Sequence, residues 1–180
     1  MKRPAYLLSL VLVLISPATA FSQMANSANP SDDSKLTAPA FSMTSIDGEK
    51  FELAALRGKI VVLNFWFTGC EPCIAEFIKL NGLVDKFKPK GVIFIAPTLD
   101  DIPKLQTFLK EHPFKYHVIP NAGGLILGPY NDGSGNLAFP THVVIDREGK
   151  IDTRLVRVKR FEDLRKVISL LVKNYPERLK

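Results

Sequence analysis

The stretch that most constrains the fold is an apolar segment that leads through two cysteines into a helical pattern. The segment spans 60–67 and only Asn64 interrupts it. A continuous apolar run of this length is typical of a strand buried on both faces, as in a mostly parallel sheet. Thr68-Gly69 breaks the run, and apolar residues then recur every three or four positions from Cys73 to Phe87. The sequence therefore predicts a central strand that turns into a helix at Cys70.

This placement favours redox chemistry at the two cysteines. The free N–H groups and positive dipole end of a helix stabilise an anion such as the Cys70 thiolate, which is the reactive form of cysteine. Pro72 fits the first turn, where its missing N–H has no helical partner. Cys73 lies on the apolar side of the helix and is expected to be the more buried, resolving thiol. A three-residue offset can bring both sulfurs within bonding distance.

The cysteines could instead have a structural role, in a zinc site or in a static disulfide, but both alternatives are disfavoured. Structural zinc needs about four protein ligands, but the chain has 2 cysteines and its 3 histidines are scattered. A structural disulfide that closes so short a loop restricts the unfolded chain rather little. The strand-to-helix context is instead typical of a redox pair.

The motif Phe65-Trp66-x-x-x-Cys70-x-x-Cys73 resembles the thioredoxin-like fold, and more closely its exported TlpA/ResA-like branch. Gly58-Lys59, Glu76 three residues after the second cysteine, and Phe139-Pro140-Thr141 before an apolar run also fit that branch. The resemblance covers about 38–175. It implies an α/β protein of thioredoxin-like fold, with a mixed central sheet flanked by helices and an N-terminal β-hairpin extension.

The chain divides into three parts. Residues 1–20 have a basic start, a short apolar core and an Ala18-Thr19-Ala20 cleavage site, as in a secretory signal peptide; an uncleaved anchor is the alternative. Residues 21–37 are polar and aperiodic and predict a flexible linker. Residues 38–180 suit one thioredoxin-like domain. We expect an exported, periplasmic protein that begins at Phe21 and has no membrane span after cleavage.

Local patterns place the remaining elements of the domain. Strands alternating with helices imply right-handed crossovers and a parallel core. A glycine-rich region at 121–139 weakens any helix there, which we place at about 125–130. We also predict a hairpin over 41–53 that turns at Asp47-Gly48, a helical turn at 53–57, a strand at 91–96 and a hairpin of 141–145 with 150–158. A helix capped by Asp100-Asp101 should have Ile102, Leu105, Phe108 and Leu109 on its inner face. A final helix should have Phe161, Leu164, Ile168, Leu171 and Tyr175 on its apolar side.

Pro140 directly precedes a predicted strand, where a missing N–H is tolerated. The resemblance implies more for this residue: a cis proline that faces the cysteine pair and holds an incoming peptide by backbone pairing. Phe139 and Thr141, on either side of it, are expected to contact the substrate. Trp66 is expected beside the site, with plain core packing as the equal alternative.

Two acidic residues are candidates for tuning the chemistry. Glu76 lies one turn beyond Cys73, and a half-buried carboxyl there could exchange protons with the thiols, whereas Asn64 on the central strand cannot titrate. The alternative for Glu76 is an ordinary solvent-facing side chain. Glu71 places a negative charge between the cysteines, which raises the pKa of Cys70 and so modestly favours a reductant.

The resemblance implies a thiol–disulfide oxidoreductase, most simply a reductase of exported proteins such as apocytochrome c. Its partners are protein disulfide substrates and a membrane electron donor that re-reduces the Cys70–Cys73 pair. No cofactor is expected beyond this disulfide, because the chain lacks a glycine-rich nucleotide fingerprint for NADPH or flavin. The formal charge of +6, without interleaved aromatic and basic residues, does not indicate a nucleic-acid surface.

Three other functions compete with a reductase. A copper-binding chaperone would use Cys70, Cys73 and His142, although such proteins typically space their cysteines further apart. A disulfide oxidase or isomerase would share the fold and the cysteine pair. A peroxidase is disfavoured because the expected threonine three residues before Cys70 is replaced by Phe67.

Overall fold

The computed structural model describes residues 35–131, 137–157 and 161–174. The predicted signal peptide, most of the predicted linker and Tyr175 lie outside these residues. The strands are β1 (Ser42–Thr44), β2 (Lys50–Glu52), β3 (Ile60–Phe65), β4 (Val92–Pro97), β5 (His117–Ile119), β6 (Thr141–Ile145) and β7 (Ile151–Val156), and the helices are α1 (Glu71–Phe87), α2 (Ile102–Glu111), α3 (Gly123–Leu127) and α4 (Phe161–Asn174). None of the described helices has both the length and the apolar character needed to cross a bilayer.

The main sheet is mixed and has the strand order β5-β4-β3-β6-β7. The strands β3, β4 and β5 are parallel, whereas β6 runs antiparallel to β3 and β7 runs antiparallel to β6. All six residues of β3 are buried, as an apolar run broken only by Asn64 predicts for a central strand. The thioredoxin-like fold with a mixed sheet is therefore confirmed.

The two faces of this sheet bury separate apolar clusters, because successive strand residues point to opposite sides. The first, which we call the disulfide face, lies under α1 and α4 and contains both cysteines together with Ile60, Val62 and Val144. The second, the hairpin face, contains Val61, Leu63, Phe65, Val143 and Ile145 and packs against residues of the β1–β2 hairpin and α3. The face to which a strand residue points thus decides whether it lies near the cysteines.

Several expectations hold and others need correction. The first hairpin turns at Asp47-Gly48 as expected, with Gly48 at a φ of 85°. The helix in the glycine-rich region is α3, which begins two residues before the expected 125. The three-residue strand β5 was missed because so short a segment carries no periodicity. Ile102 was wrongly placed on the inner face of α2: it is 43% exposed, since it is the first helical residue after the Asp101 cap.

The predicted linker extends too far into the domain. Thr37 forms a β-bridge with Lys150, and the Ile151 N–H donates to the Leu36 carbonyl at 2.8 Å. Lys35 Nζ lies 2.6 Å from Asp152 Oδ1. Residues 35–37 therefore belong to the folded domain and add an extended segment beside β7.

Candidate redox site

The two cysteines form a disulfide at the N-terminus of α1, where the sequence places them. Cys70 is the N-cap residue, and Pro72 occupies the first turn. The Cα atoms of Cys70 and Cys73 are 5.3 Å apart. The Cys73 N–H donates to the Cys70 carbonyl at 3.0 Å and approaches Cys70 Sγ at 3.3 Å. In the reduced protein this N–H and the helix dipole would both stabilise a Cys70 thiolate.

Burial of the two cysteines follows the predicted order, although the difference is small. Cys73 is fully buried and Cys70 retains 4% of its surface. An attacking thiol is expected to be more open than this. In the disulfide form, little of the Cys70 surface is therefore open to a partner.

Asp100 fixes the loop that leads into Cys70. Its carboxylate accepts from the Thr68 N–H at 2.6 Å, from Thr98 Oγ1 at 3.1 Å and from Lys104 Nζ at 2.6 Å. Burial alone would raise the pKa of Asp100, but these donors outweigh it and hold the pKa below its ordinary value. The sequence analysis treated Asp100 only as a helix cap, yet Asp101 performs that role by accepting from the Lys104 N–H. The available signal for this second role was an acid three residues after the buried strand β4.

Aromatic rings surround the loop beside the disulfide. Phe67 packs edge-on against Phe139, with ring centroids 5.1 Å apart. A Cβ atom on Gly69 would lie 3.0 Å from the Phe67 ring, so the ring fits closely only against a glycine. The loop before Cys70 is thus held against the segment that carries Pro140.

Pro140 follows a cis peptide bond, as the resemblance implies. A cavity of about 440 Å³ beside the disulfide is lined by Pro72, Glu76, Phe139, Pro140 and Arg157. The Arg157 N–H donates to the Pro140 carbonyl at 2.8 Å, and Arg157 has a φ of 47°. The structure therefore brings four predicted site residues together and adds Arg157, which the sequence analysis did not assign to the site.

The side chains of Trp66 and Thr141 do not line this cavity, and their contact with substrate stays a prediction. Both are 0% exposed. The Trp66 ring packs edge-on against Phe77 at 5.0 Å, so the core alternative describes it. Thr141 Oγ1 donates to the Ala138 carbonyl at 2.5 Å. Each side chain is directed into the core by its position along the sheet.

Glu76 is paired with a buried histidine. Glu76 Oε2 lies 3.1 Å from His142 Nε2, and the two side chains are 18% and 1% exposed, respectively. Glu76 is thus half-buried, as its acid–base hypothesis requires. Its partner was missed because the sequence analysis considered His142 only as a copper ligand.

The copper set is not assembled in this oxidised structure. Within the described ranges, one group of three potential ligand residues has its ligand atoms within 4.8 Å of one another, and it consists of Asp47, Glu49 and His117. The sulfurs of the cysteines are bonded to each other, and His142 Nε2 is occupied by Glu76. These positions do not favour a copper chaperone.

A disulfide at a helix N-cap, a cis proline across a shared cavity and a mixed sheet define a thiol–disulfide oxidoreductase of thioredoxin-like fold. Residues 35–154 match the AhpC/TSA family model. The chain is 38% identical to the thiol-disulfide oxidoreductase ResA of Bacillus cereus over 128 residues, which covers 71% of this chain and 72% of that protein. The chain therefore belongs to the AhpC/TSA family, and among its members it is a homologue of the ResA oxidoreductases.

Other relatives and solved structures agree. ResA of Geobacillus kaustophilus is 32% identical over 130 residues, with 71% of this chain and 72% of the relative covered. The crystal structure of a putative thiol:disulfide interchange protein DsbE from Chlorobium tepidum superposes with a TM-score of 0.65 at 29% identity, covering 79% of this chain and 99% of the other. The fold and the oxidoreductase class are thus supported by both sequence and structure.

Proposed function

We propose that this protein is exported and that it reduces disulfide bonds in other extracytoplasmic proteins, including those used in cytochrome c maturation. The observation that carries the proposal is the disulfide at the α1 N-cap beside an open cavity. Residues 1–20 supply the export signal. The ResA and DsbE relatives are named for thiol–disulfide chemistry, which fits this role.

The first step is attack by Cys70. Its thiolate, stabilised by the Cys73 N–H and the helix dipole, displaces one sulfur of a substrate disulfide. A Cys70–substrate disulfide forms, the substrate S–S bond breaks, and the departing sulfur leaves as a thiolate that takes up a proton. The substrate backbone lies against Phe139 and Pro140, which line the same cavity as Pro72, the residue between the two cysteines on α1.

The second step is resolution by Cys73. Its thiol passes a proton to the Glu76 carboxylate, three residues further along the same helix face. The Cys73 thiolate attacks Cys70 Sγ and closes the Cys70–Cys73 bond, and the substrate is released as its second thiolate, which is then protonated. Two electrons have moved from the cysteine pair to the substrate. A membrane electron donor restores the dithiol.

The direction of electron flow follows from the charges near Cys70. A strong oxidant needs a strongly stabilised thiolate, because that stabilises its reduced form. Glu71 is exposed immediately after Cys70 and opposes a thiolate there. The half-buried Glu76 carboxylate adds a second negative charge near the pair. We therefore assign the protein as a reductant.

Trapping of substrates in the native host tests this function. A tagged full-length Cys73→Ser variant should accumulate mixed disulfides with exported proteins that contain paired cysteines, and the mature chain should begin at Phe21 by mass spectrometry. The Cys70→Ser, Cys73→Ser double variant is the matched control and should capture none. Trapped partners confined to the cytoplasm, or a chain that retains Met1, would contradict the export proposal.

A further inference from the structure

His142 is a buried ionisable side chain that touches the acid–base group of the proposed reaction. It lies on β6, two residues after Pro140, and its side chain is 1% exposed. Its Nε2 atom is 3.1 Å from Glu76 Oε2. A ring N–H at Nε2 donates a hydrogen bond to the carboxylate, so His142 can fix the position of Glu76.

Asn64 indicates which form of His142 is present. Asn64 pairs with His142 in the β3–β6 register, and cross-strand partners share a face with Cβ atoms roughly 5 Å apart. Within the part of the chain that the structure describes, His142 Nδ1 and both polar atoms of the Asn64 amide are buried and have no hydrogen-bond partner. An Nδ1 atom that carries no proton can accept a hydrogen bond, and the neighbouring Asn64 amide has an N–H that could donate one. This arrangement favours neutral imidazole protonated at Nε2, which donates to Glu76.

Other ionisable groups also lie around the Glu76–His142 pair. Tyr116 is buried, and the Glu76 charge adds to burial in raising its pKa; Arg157 lines the same cavity as Glu76 from the end of β7. On α1 the neighbouring groups are Cys70 and Cys73. The helix α4 presents Leu164, Ile168 and Leu171 to this face, with Asp163 half-buried near its start.

We propose that His142 is a positioning residue for disulfide exchange: neutral His142, which lies beside Asn64 on the sheet, donates from Nε2 to the Glu76 carboxylate and holds it in place to accept the Cys73 proton. The proposal rests on the proposed function, because it needs Glu76 to act in the resolving step. It adds a residue from a different strand, 66 positions away in the chain. The Asn64–His142–Glu76 set connects the central sheet to the helix that carries both cysteines.

The two steps of exchange can be separated with a nitrobenzoate disulfide whose released thiolate is coloured. Mixing it with the reduced protein gives a first release when Cys70 attacks and a second when Cys73 resolves. The Cys73→Ser variant should lose the second phase, which identifies it. The measurement is the rate of that second phase as a function of pH.

Removal of the donor should shift this pH profile. In His142→Leu the half-buried carboxylate loses the hydrogen bond that holds it in place, so the acidic side of the second-phase profile should move to higher pH. The midpoint should rise by about one pH unit, which is roughly a tenfold slower second phase on the acidic side. His142→Gln keeps an N–H at similar reach and should stay within about 0.3 units of the parent. The first phase should change little in both variants.

His117→Gln is the matched control. It is the same substitution on β5, three strands from β6 in the sheet order, where the imidazole faces Asp47 and Glu49 instead. It should leave the second-phase profile unchanged. Glu76→Gln should remove the acidic limb of the profile, meaning the pH range over which the second phase slows as pH falls. That loss would assign the limb to the Glu76 carboxylate.

Three other outcomes would overturn the proposal, and each would exclude a different part of it. Equal shifts in His142→Leu and His142→Gln would show that charge is required and not a neutral donor. If neither His142 variant shifts the profile but Glu76→Gln still removes its pH dependence, then His142 has no role in the resolving step. The proposed function would remain intact. An unchanged limb in Glu76→Gln would remove Glu76 as well, although insulin reduction would still report the oxidoreductase activity.

A measurement on the unmodified protein covers the case in which His142→Leu does not fold. Nitrogen-15 NMR of the reduced protein should show His142 protonated at Nε2 and bare at Nδ1 at neutral pH. A His142 ring protonated at Nδ1 alone, or at both nitrogens, would contradict the proposal without any variant.

Discussion

The disulfide face and the hairpin face of the sheet each bury a cluster of apolar side chains, but they differ in how their buried polar groups are hydrogen-bonded. On the hairpin face, the Tyr130 hydroxyl donates to the Pro39 carbonyl at 2.9 Å, and Thr141 Oγ1 donates to the Ala138 carbonyl. On the disulfide face, buried polar atoms without a partner among the described residues occur in Asn64, Trp66, Tyr116 and His142.

This difference indicates which face is under functional constraint. A buried polar atom without a partner costs about 1–3 kcal/mol, so such atoms are few in most proteins. Here four of the five residues that carry one lie on the face that holds the cysteines. The hairpin face is organised for stability, whereas the disulfide face retains polar groups that can interact with protons and thiols.

The largest expected effect comes from the cysteines themselves. Cys70→Ser should lower insulin reduction by at least about a thousandfold, because no attacking thiolate remains. Cys73→Ser should still attack but stall as a mixed disulfide that is visible by mass spectrometry. If Cys73 alone reduces the substrate in the Cys70→Ser variant, then the roles of the two thiols are reversed.

On the hairpin face, a large change in stability should leave exchange unaffected. Tyr130 is 0% exposed, so Tyr130→Ala should lower the free energy of unfolding by about 3–5 kcal/mol. Tyr130→Phe removes only the hydrogen bond to Pro39 and should cost about 1 kcal/mol. Urea titration measures both effects. A slower resolving phase in folded Tyr130→Phe would show that the faces are coupled.

The next largest effect on stability is expected at Asp100, and its size depends on pH. Its pKa is held low in the folded protein, so its stabilisation is present above the unfolded pKa of about 4 and is lost as pH falls through the folded pKa. Asp100→Asn should cost about 1–3 kcal/mol at pH 7. The difference from the parent should shrink below about pH 4. A difference that persists unchanged at pH 2 would show that the charge is not the cause.

The smallest effect on stability is expected at Asn64. Asn64→Leu replaces a buried amide by an apolar side chain of similar volume, so the free energy of unfolding should change by no more than about 1 kcal/mol, most simply upward. The resolving phase should nevertheless slow, because His142 loses the polar side chain that faces it across the β3–β6 pair. The matched control is Leu63→Asn on the hairpin face, which should cost about 3 kcal/mol or more and leave that phase unchanged. A large loss of stability in Asn64→Leu would show that the amide is satisfied after all.

Much of the fold could be predicted because its signals are local. The apolar run of β3, the break at Thr68-Gly69 and the spacing along α1 lie within one stretch of sequence. The short strand β5 carries no periodicity, and only its pairing with β4 reveals it. Ile102 appeared to be internal because the pattern alone does not show where the first turn of α2 leaves the core.

The candidate site was predicted only where its residues are close in sequence or match a family motif. Cys70, Cys73, Pro72 and Pro140 were found in this way. The contact between Glu76 and His142 joins residues 66 positions apart, and it depends on the β3–β6 register, which no local pattern contains. Trp66 was ambiguous for the same reason, since its side-chain direction is set by the sheet.

The central claim is that this oxidoreductase works as a reductant, and its redox potential tests this most directly. The purified protein is equilibrated against defined thiol–disulfide buffers, and the fluorescence of its 1 tryptophan is recorded in each buffer. The change in fluorescence across the buffers gives the redox potential. Trp66 packs in the same cluster as both cysteines, so its emission should report the disulfide. We predict a potential nearer the roughly −270 mV of thioredoxin than the roughly −120 mV of DsbA. A potential above about −180 mV, the range of protein disulfide isomerase, would contradict the account and indicate an oxidase or isomerase.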